Sequence, residues 1–477
     1  MSGTLLSNGN SMKIRLINPA QLDAKGRVVK INREFVSGLT LPYVAALIPG
    51  GHDISIIEES VERIDFDDPV DLVGLTAISC RAPRAYWIAD QYKKRGVPVI
   101  MGGFHATALP EEALSHCDAV VKGEAEGVIN RVIEDAVNGR MKGIYEQKAP
   151  HPLEGLPTPR YDLINRKNFF MPANPVQATR GCPYHCDFCS VSPFFGSRHR
   201  KRPVADVLAD MAAAGPYLVI VDDNLMIDRD YALELFTAMK PLNKVWIGQV
   251  DVRSAADGEL MKAAADAGCR MLYLGIETLD KVSLARTGKT PNLHTDAQAA
   301  LMQIKRHHID AFVSMIIGFD NDTVATARQI VEFCDRMRVP ILFLYILTPI
   351  PGSPMFERMQ RNGTPLKPGW HLYDGMHSVF DTPSLKSAEL ETLYMAIQKK
   401  IYTMPSILRR NFFPPHLFLL FLNLWARKNV HSGLHPWMGN TRWRRQLDII
   451  PLLEPLTKPW IRKISRLLRF TEGRFTS

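Results

Sequence analysis

The stretch Gly181-Cys-Pro-Tyr-His-Cys-Asp-Phe-Cys189 carries three cysteines in one short loop, Cys182, Cys186 and Cys189, with three and then two residues between them. Three thiolates so close in sequence can ligate one soft metal centre, although a zinc ion or a simple ferredoxin cluster usually takes a fourth protein ligand. The remaining cysteines are far away in the sequence: Cys80, Cys117, Cys269 and Cys334. The spacing therefore favours an iron–sulfur cluster in which one iron is open to a ligand that is not protein.

Two alternatives remain for this loop. The three thiols are structural, or they bind zinc with His185 or a distant residue as the fourth ligand. Both are disfavoured because Gly181 and Pro183 shape a tight loop directly after an apolar, strand-like segment, Pro175 to Thr179.

The whole sequence has the composition of a globular protein. Its 477 residues are 46% hydrophobic and 22% charged, and the length predicts two to four domains. Seven cysteines, three of them clustered, fit a reducing compartment better than a disulfide framework. Residues Met1 to Met12 contain no apolar stretch of a signal peptide, and no run of about 18 apolar residues predicts a spanning helix. We therefore expect a cytoplasmic protein.

Residues 1–140 predict an α/β domain with a doubly wound parallel sheet, because strand-like and helix-like segments alternate throughout. The segment from Asp71 to Ser79 is nearly all apolar, as expected for a strand buried on both faces. Ligands bind such sheets at the carboxyl ends of the strands. The residues that follow the predicted strands are Asn18-Pro19, Ser79-Cys80-Arg81, Gly102-Gly103-Phe104-His105 and Gly123-Glu124.

None of these strand ends carries a phosphate-binding fingerprint. No G-x-G-x-x-G follows the first strand, which disfavours a nicotinamide or flavin cofactor, and no D-x-H-x-x-G motif supplies a histidine to cobalt. His105 alone is more typical of a loop histidine than of a metal ligand. Residues 141–174 are rich in proline and glycine with few periodic runs, and they predict a linker.

Residues 175–355 repeat the alternation, with six predicted strands that indicate a partial or full barrel. The chemistry of such barrels lies at the carboxyl ends of the strands. Polar residues recur there: Asp223, Asn224, Gln249, Asp251, Glu277 and Asp320. A solvated loop or a helix N-cap explains any one of them, but their recurrence at successive strand ends favours a polar site.

With these motifs in place, the sequence resembles the radical S-adenosylmethionine (SAM) superfamily, in the branch that carries a cobalamin-binding domain before the barrel. The cysteine loop after a strand is the most specific motif. The other matching motifs are Gly102-Gly103-x-His105, Gly123-Glu124-x-Glu126, Thr179-Arg180-Gly181-Cys182-Pro183, Asp222-Asp223-Asn224, Gly275-x-Glu277, Gly318 and Thr348-Pro349-x-Pro351-Gly352-x-Pro354. The resemblance covers residues 12–355 and implies a cobalamin-binding sheet followed by a partial (β/α)6 barrel.

The resemblance implies three cofactors: a [4Fe–4S] cluster on Cys182, Cys186 and Cys189, SAM on the open iron, and cobalamin between the first domain and the barrel mouth. The residues that it implies for SAM are Asp222, Asp223, Asn224, Gln249, Glu277, Ile317 and Gly318. Those that it implies for cobalamin are Ser79, Gly102, Gly103, His105, Gly123 and Glu124. An electron donor such as flavodoxin or ferredoxin is an expected partner.

Residues 356–477 predict a mainly helical region, with a helix over Ser387 to Met404. The apolar run His416 to Leu424 is too short to span a bilayer. From Pro405 to the end there are 13 Lys or Arg against three Asp or Glu, interleaved with tryptophans. This pattern favours a peripheral contact with the inner, anionic face of a membrane over a nucleic-acid surface, so no nucleic-acid partner is expected. A helical subdomain packed on the barrel is the alternative.

The resemblance also implies modification of an unactivated carbon, and we expect C-methylation. The apolar and basic C-terminal region suggests an apolar substrate such as a lipid, an isoprenoid or a tetrapyrrole. A radical cyclase or another carbon–carbon bond-forming enzyme is the alternative among enzymes. A cobalamin or redox sensor is the alternative outside them, although a sensor needs no vacant iron.

Overall fold

The computed structural model describes residues 11–411 and 417–431, and its first domain is built on one parallel sheet. The strands are β1 (Lys13–Asn18), β2 (Asp53–Glu58), β3 (Leu72–Thr76), β4 (Val99–Gly102), β5 (Ala119–Lys122) and β6 (Gly143–Glu146), in the order β2-β1-β3-β4-β5-β6. The helices are α1 (Thr40–Leu47), α2 (Ala82–Lys93), α3 (Phe104–Ala108), α4 (Pro110–Leu114) and α5 (Ile129–Val137). All neighbouring strands run parallel, which confirms the predicted doubly wound α/β fold.

Alternate residues of each strand enter opposite apolar layers, because side chains on a strand point to the two faces in turn. Leu72 packs in the layer of α1 and α5, whereas Val73 packs in the layer of α2. Val121 and Val120 divide between the two layers in the same way. Helices therefore bury both faces of the sheet, as the nearly continuous apolar strands predicted.

The end of this domain differs from the prediction. β6 lies inside the segment 141–174 that was predicted as a linker, and it pairs with β5. An edge strand of four residues has no periodic pattern long enough to be recognised in a sequence rich in glycine and proline. The linker therefore begins after β6.

The second domain is a curved sheet of six parallel strands with helices on its outer face. The strands are β7 (Asn174–Val176), β10 (Tyr217–Ile220), β11 (Val245–Val250), β12 (Cys269–Glu277), β13 (Asp310–Ile317) and β14 (Ile341–Ile346), with a separate antiparallel ribbon of β8 (Thr179–Arg180) and β9 (Arg200–Lys201). The helices are α6 (Val191–Phe195), α7 (Val204–Ala213), α8 (Arg229–Met239), α9 (Val252–Ala255), α10 (Gly258–Asp266), α11 (Lys281–Arg286), α12 (Thr290–Leu293), α13 (Ala297–Arg306) and α14 (Val324–Arg336). Within the described ranges the edge strands β7 and β14 do not pair, so the six strands form the predicted partial barrel.

The strand predicted from Pro175 to Thr179 is divided. β7 ends at Val176 and β8 begins at Thr179. The carboxylate of Asp222 accepts hydrogen bonds from the backbone N–H groups of Ala178 (2.8 Å) and Thr179 (2.7 Å), which a neighbouring strand would otherwise receive. The chain therefore leaves the sheet just before the cysteine loop.

In the described part of the chain, four helices follow the barrel: α15 (Pro354–Arg361), α16 (Ser387–Ile401), α17 (Met404–Asn411) and α18 (Leu417–His431). The predicted helix over Ser387 to Met404 is thus α16 and the first residue of α17. Leu419 and Leu422 of α18 pack on the inner face of the second sheet, which the barrel helices leave open. The sheet residues in that contact are Met271, Phe312 and Ile341. This packing uses part of the apolar run that suggested a membrane contact.

Across the stretches 11–411 and 417–431, no helix combines the length and the apolar character that crossing a bilayer requires. The predicted basic and tryptophan-rich segment after His431 lies outside the described residues, as do residues 412–416.

Candidate active site

The cysteine loop begins at a position that favours glycine. Gly181 has a φ of +84°, in the left-handed region, and a Cβ atom there would collide with the carbonyl oxygen of Arg198. The preceding residue, Arg180, pairs with Arg200 in the β8–β9 ribbon. The backbone therefore fixes the turn before the first cysteine is reached.

Hydrogen bonds from three other segments hold the loop. Ser192 Oγ donates to the carbonyl oxygen of Cys182 at 2.8 Å. The N–H of Asp187 donates to the carbonyl oxygen of Thr287 at 2.9 Å, and the carbonyl oxygen of Asp187 accepts from Met355 N–H at 2.8 Å. The positions of the three cysteines are thus set by the protein's own backbone.

All three cysteines of the loop are free thiols. Burial raises the pKa of Cys186 to about 12 and that of Cys189 to about 11, and it also raises the pKa of Cys182, while the Lys289 ammonium opposes each shift. Such thiols become thiolate ligands when a metal replaces the proton. Three thiols on one preformed loop, with a buried cation beside them, are a donor set that fits an iron–sulfur cluster.

The zinc alternative requires a compact ligand set. Among the residues that the structure describes, no three His, Cys, Asp or Glu side chains are arranged to hold a single metal ion. Because this includes the three loop cysteines themselves, the arrangement does not separate a zinc site from an iron–sulfur cluster.

Asp222 supports the cysteine loop from the end of β10. Its buried carboxylate accepts from Thr179 Oγ1 at 2.8 Å in addition to the two backbone N–H groups already described. Burial raises the pKa of Asp222 to about 7, although these donors favour the ionised form. Of the residues predicted to bind SAM, Asp222 is thus already engaged by the strand that leads to the cysteines.

The next two residues keep free acceptor atoms. Asp223 Oδ2 and Asn224 Oδ1 are buried and have no hydrogen-bond partner among the described residues. Burial raises the pKa of Asp223 to about 6. Asn224 Nδ2 donates to Asp251 Oδ2 at 2.6 Å, which orients the amide. An unpaired buried acceptor marks a place where a ligand can supply the donor.

Glu277 ends β12 with a positive φ of +66°. Its Oε1 lies 3.0 Å from Lys289 Nζ, and its Oε2 accepts from Ser314 Oγ at 3.3 Å. On the neighbouring strand β11, Gln249 Nε2 donates to the Asp223 carbonyl oxygen at 2.8 Å. Asp223, Gln249 and Glu277 therefore lie at the ends of three adjacent strands, β10, β11 and β12.

Ile317 and Gly318 are held by backbone contacts at the end of β13. The Ile317 side chain packs in the outer core, and its carbonyl oxygen accepts from Leu347 N–H at 2.8 Å. The N–H of Gly318 donates to Asp322 Oδ2, also at 2.8 Å. Both residues are thus part of the barrel rim, with these backbone groups already paired.

A cavity of about 400 Å³ lies between the first domain and the segments that flank the cysteine loop. Four of the residues predicted to bind cobalamin line it: Gly102, Gly103, Gly123 and Glu124. The second domain contributes Gln177, Arg180, Phe194, Phe195, Val221 and Asp223. Most of the remaining wall is aliphatic and comes from the sheet and from α1 and α5. An apolar slot with a few polar groups at one side fits a large, flat cofactor.

Ser79 and His105 do not line this cavity. The His105 ring is fully buried, with Nδ1 at 3.1 Å from Ser79 Oγ and Nε2 at 2.9 Å from the Tyr86 hydroxyl. The ring of Trp370 packs against it with the centroids 5.3 Å apart. The structure therefore places both residues in a hydrogen-bonded core between the first domain and the segment after α15.

Four further residues of the site were not assigned from the sequence: Tyr43, Glu126, Arg180 and Lys289. Glu126 and Arg180 belong to motifs that were recognised in the sequence, so the sequence did indicate that these two positions matter. Nothing in the sequence indicated Tyr43 or Lys289, because their importance depends on contacts made in the folded chain.

Two family models match this chain. A B12 binding domain model matches residues 33–133, and a radical SAM superfamily model matches residues 176–334. The chain belongs to the radical SAM enzymes that carry a B12-binding domain. Its cofactors are accordingly a [4Fe–4S] cluster, SAM and cobalamin. Because the family is enzymatic, the sensor alternative has no support.

This radical SAM enzyme is similar to several curated methyltransferases. Bacteriochlorophyllide d C-12(1)-methyltransferase of Chlorobaculum tepidum is 28% identical over 81% of this chain and 87% of the relative. Bacteriochlorophyllide d C-8(2)-methyltransferase of the same organism is 24% identical over 86% and 95%. The hopanoid C-2 methylase of Rhodopseudomonas palustris is 22% identical over 67% and 63%. The enzyme thus falls among the cobalamin-dependent radical SAM methyltransferases.

Two solved structures share its fold. The radical SAM methyltransferase TsrM from Kitasatospora setae, with cobalamin and a [4Fe–4S] cluster bound, superposes with a TM-score of 0.60 at 15% identity over 75% of this chain and 76% of that one. The cobalamin-dependent radical enzyme OxsB with aqua-cobalamin bound gives 0.61 at 13% identity over 96% and 81%. The order of the two domains is therefore that of known cobalamin-dependent radical SAM enzymes.

Proposed function

We propose that this enzyme methylates an unactivated carbon of an apolar tetrapyrrole. The observation that carries the methyl-transfer part of the proposal is a cavity that joins the apolar edge of the first sheet to Arg180, the residue two positions before Cys182. This arrangement supports cobalamin bound against the same segment that carries the cluster ligands.

The three loop cysteines, Cys182, Cys186 and Cys189, are the proposed cluster ligands, and the polar strand ends are the proposed SAM contacts. When bound, the cluster supplies the electron that cleaves SAM, and cobalamin carries the methyl group that is transferred. The unpaired oxygens of Asp223 and Asn224 are suited to accept hydrogen bonds from the ammonium or hydroxyl groups of SAM.

The aromatic wall of the cavity suits radical chemistry, which requires that water be excluded. Phe104 of the first domain stacks on Phe194 of α6 with ring centroids 4.2 Å apart. Phe195 meets Phe194 edge to face at 4.7 Å. These rings bridge the two domains beside the cysteine loop and present apolar surface to the cavity.

The glycines at the sheet edge, Gly102, Gly103 and Gly123, are the proposed contacts of the corrin ring, because they let a flat ring approach the backbone. No histidine is among the described residues that line the cavity. We therefore propose that cobalt receives no imidazole from this wall.

The tetrapyrrole class is supported by the names and the coverage of the relatives. The two bacteriochlorophyllide d methyltransferases align with 81% and 86% of this chain, against 67% for the hopanoid C-2 methylase. The test incubates reconstituted enzyme with trideuteromethyl SAM, hydroxocobalamin, a chemical reductant and bacteriochlorophyllide d. Mass spectrometry should find the deuterated methyl group in the pigment. Labelling of a hopanoid but not of the pigment would contradict the substrate class.

A second candidate function is ring formation without methyl transfer. It is favoured by similarity to the anaerobic magnesium-protoporphyrin IX monomethyl ester cyclase of Rubrivivax gelatinosus, which is 24% identical over 61% of this chain and 58% of the relative. The same assay separates the two functions. A pigment of altered mass that carries no deuterated methyl group would favour the cyclase.

Two partners belong to the proposal. A flavodoxin or ferredoxin is the proposed electron donor, and the basic segment 432–477 is the proposed contact with an anionic membrane. Flotation with anionic vesicles should recover the full chain but not a chain ending at His431, which keeps α18. Equal flotation of both chains would contradict the membrane contact.

A further inference from the structure

Arg180 connects the cysteine loop to the first domain. Its Nη1 lies 2.9 Å from Glu124 Oε1 and forms a closer ion pair with Glu126 Oε1. Its Nε donates to Gln177 Oε1 at 2.7 Å, which fixes the plane of the guanidinium group. The arginine side chain is 7% exposed, and the two glutamates are 6% and 3% exposed. A buried ionic contact therefore joins the residue before Gly181 to the loop that follows β5.

Two further side chains complete this ionic cluster. Arg200, the partner of Arg180 in the β8–β9 ribbon, donates from Nη2 to Glu124 Oε1 at 2.8 Å and from Nη1 to Glu124 Oε2 at 3.1 Å. The Tyr43 hydroxyl of α1 donates to Glu126 Oε1 at 2.7 Å. Two arginines thus face two glutamates, and the Asp223 carboxylate also feels the charge of Arg180.

Stability does not account for such a cluster. The desolvation of buried charges largely offsets their attraction, and well-packed apolar residues in their place are often neutral or stabilising. What a buried ionic cluster gives that apolar packing does not is a fixed geometry between its members, because the paired donors and acceptors admit few alternative arrangements.

The position of the cluster indicates what that geometry controls. Tyr43, Glu124, Glu126 and Arg180 all line the cavity proposed for cobalamin. Arg180 is also two residues from Cys182, across the left-handed turn at Gly181. The same side chains therefore form one wall of the cobalamin cavity and hold the start of the cysteine loop.

We propose that Arg180 is a positioning residue that sets the cysteine loop in register with the cobalamin cavity. Glu124 and Glu126 hold Arg180, and neither is required to touch a reacting atom. The inference rests on the proposed function only in placing cobalamin in this cavity. It does not depend on which substrate is methylated.

The test removes the charges in a pair, so that no single charge is left buried. The Arg180→Met/Glu126→Gln double variant keeps Arg200 paired with Glu124. The matched control is Arg202→Met/Asp210→Asn, since Arg202 and Asp210 form an equally buried pair (5% and 2% exposed, 2.5 Å) within the second domain. Full-length reconstituted proteins are titrated with hydroxocobalamin, and amide exchange of residues 181–189 is followed in the cofactor-free chains.

In the Arg180 variant, hydroxocobalamin should bind about tenfold more weakly, which corresponds to ~1.4 kcal/mol, and the loop amides should exchange faster. Its iron content should stay close to that of the unaltered enzyme, because the three cysteines are unchanged. The control should change neither cobalamin affinity nor loop exchange.

Two outcomes would overturn the proposal. One is unchanged cobalamin affinity together with unchanged loop exchange in the Arg180 variant. The other is the same loss in both double variants, which would indicate a general structural role. Neither result depends on the methylation assay, so failure of the substrate proposal is distinguishable from failure of this one.

Discussion

The carboxyl edges of the two sheets of this enzyme carry different kinds of residue, and the cavity of about 400 Å³ reaches the second edge only at Gln177, Val221 and Asp223. The edge of the first sheet consists of glycines, Gly102, Gly103 and Gly123, beside an aliphatic slot. The edge of the second carries buried carboxylates, among them Asp222, Asp223, Asp251, Glu277 and Asp322. One topology thus supports two kinds of recognition. We expect the first edge to select a ligand by shape, and the second to select by charge and hydrogen bonding.

The largest expected effect comes from the cysteine loop itself. Cys186→Ala should lose the iron and the visible absorbance of the cluster and reduce SAM cleavage to background, because a thiolate ligand is absent. Hydroxocobalamin binding should persist. Cys269→Ala, which alters a buried cysteine outside the loop, is the control and should keep its iron. A parallel loss of cobalamin affinity in Cys186→Ala would break the division between the two edges.

A substitution in the aliphatic slot should have the opposite effect: it should weaken cobalamin binding and leave the cluster unchanged. Val44 is a half-buried residue of α1 that lines the cavity, and Val44→Trp should fill part of the slot. Hydroxocobalamin should then bind at least about tenfold more weakly (~1.4 kcal/mol) by absorbance titration. Iron content should be unchanged. Ile144→Trp, on the exposed face of β6, is the control. Normal affinity in Val44→Trp would place the cofactor elsewhere.

The carboxylates predict a pH dependence of folding. Burial raises the pKa of Asp222 and Glu58 to about 7 and that of Asp223 and Asp322 to about 6, well above the values near 4 of unfolded chains. At a pH between the unfolded-state and folded-state pKa values, the folded protein holds protons that the unfolded chain has released. The free energy of unfolding therefore falls as the pH rises through this range.

The urea midpoint of the cofactor-free protein should therefore be higher at pH 5 than at pH 8. The free energy of unfolding should fall by up to ~1.4 kcal/mol per pH unit for each of these groups. Three of the four groups belong to the barrel edge, so Glu58→Gln should flatten the slope only in part. If Glu58→Gln abolished the pH dependence of stability, the effect would come from the first sheet instead.

The smallest effect is expected at His105. Because both ring nitrogens are engaged by Ser79 and Tyr86, His105→Gln should leave the electron paramagnetic resonance spectrum of bound cobalamin(II) unchanged. Stability should fall by about 1–3 kcal/mol, since a buried hydroxyl loses its partner. Loss of a nitrogen coupling in the variant would show instead that the imidazole reaches cobalt.

The fold was predictable because its signals are local. Both domains alternate apolar strands with helices, and Gly181 and the cysteines that follow it mark the loop without any tertiary information. Strand β6 was not predicted, because four residues are too few to show a repeating hydrophobic pattern. The contacts of Arg180 were not predicted, because they join residues more than 50 positions apart in the sequence. The apolar run near Leu419 suggested a surface element, yet Leu419 and Leu422, which lie on one face of the helix, pack on the barrel, and only the packed structure reveals this.

The contact of α18 with the barrel has a consequence for biosynthesis. Leu419 and Leu422 cover the inner face of strands that end by Ile346, and Asn423 Nδ2 donates to the carbonyl oxygen of Pro340 at 3.0 Å. In the chain, 70 residues separate the end of the last strand at Ile346 from the start of the helix that covers it at Leu417. The nascent barrel therefore leaves the ribosome with an apolar floor uncovered, and chaperones have a defined surface to protect until α18 arrives.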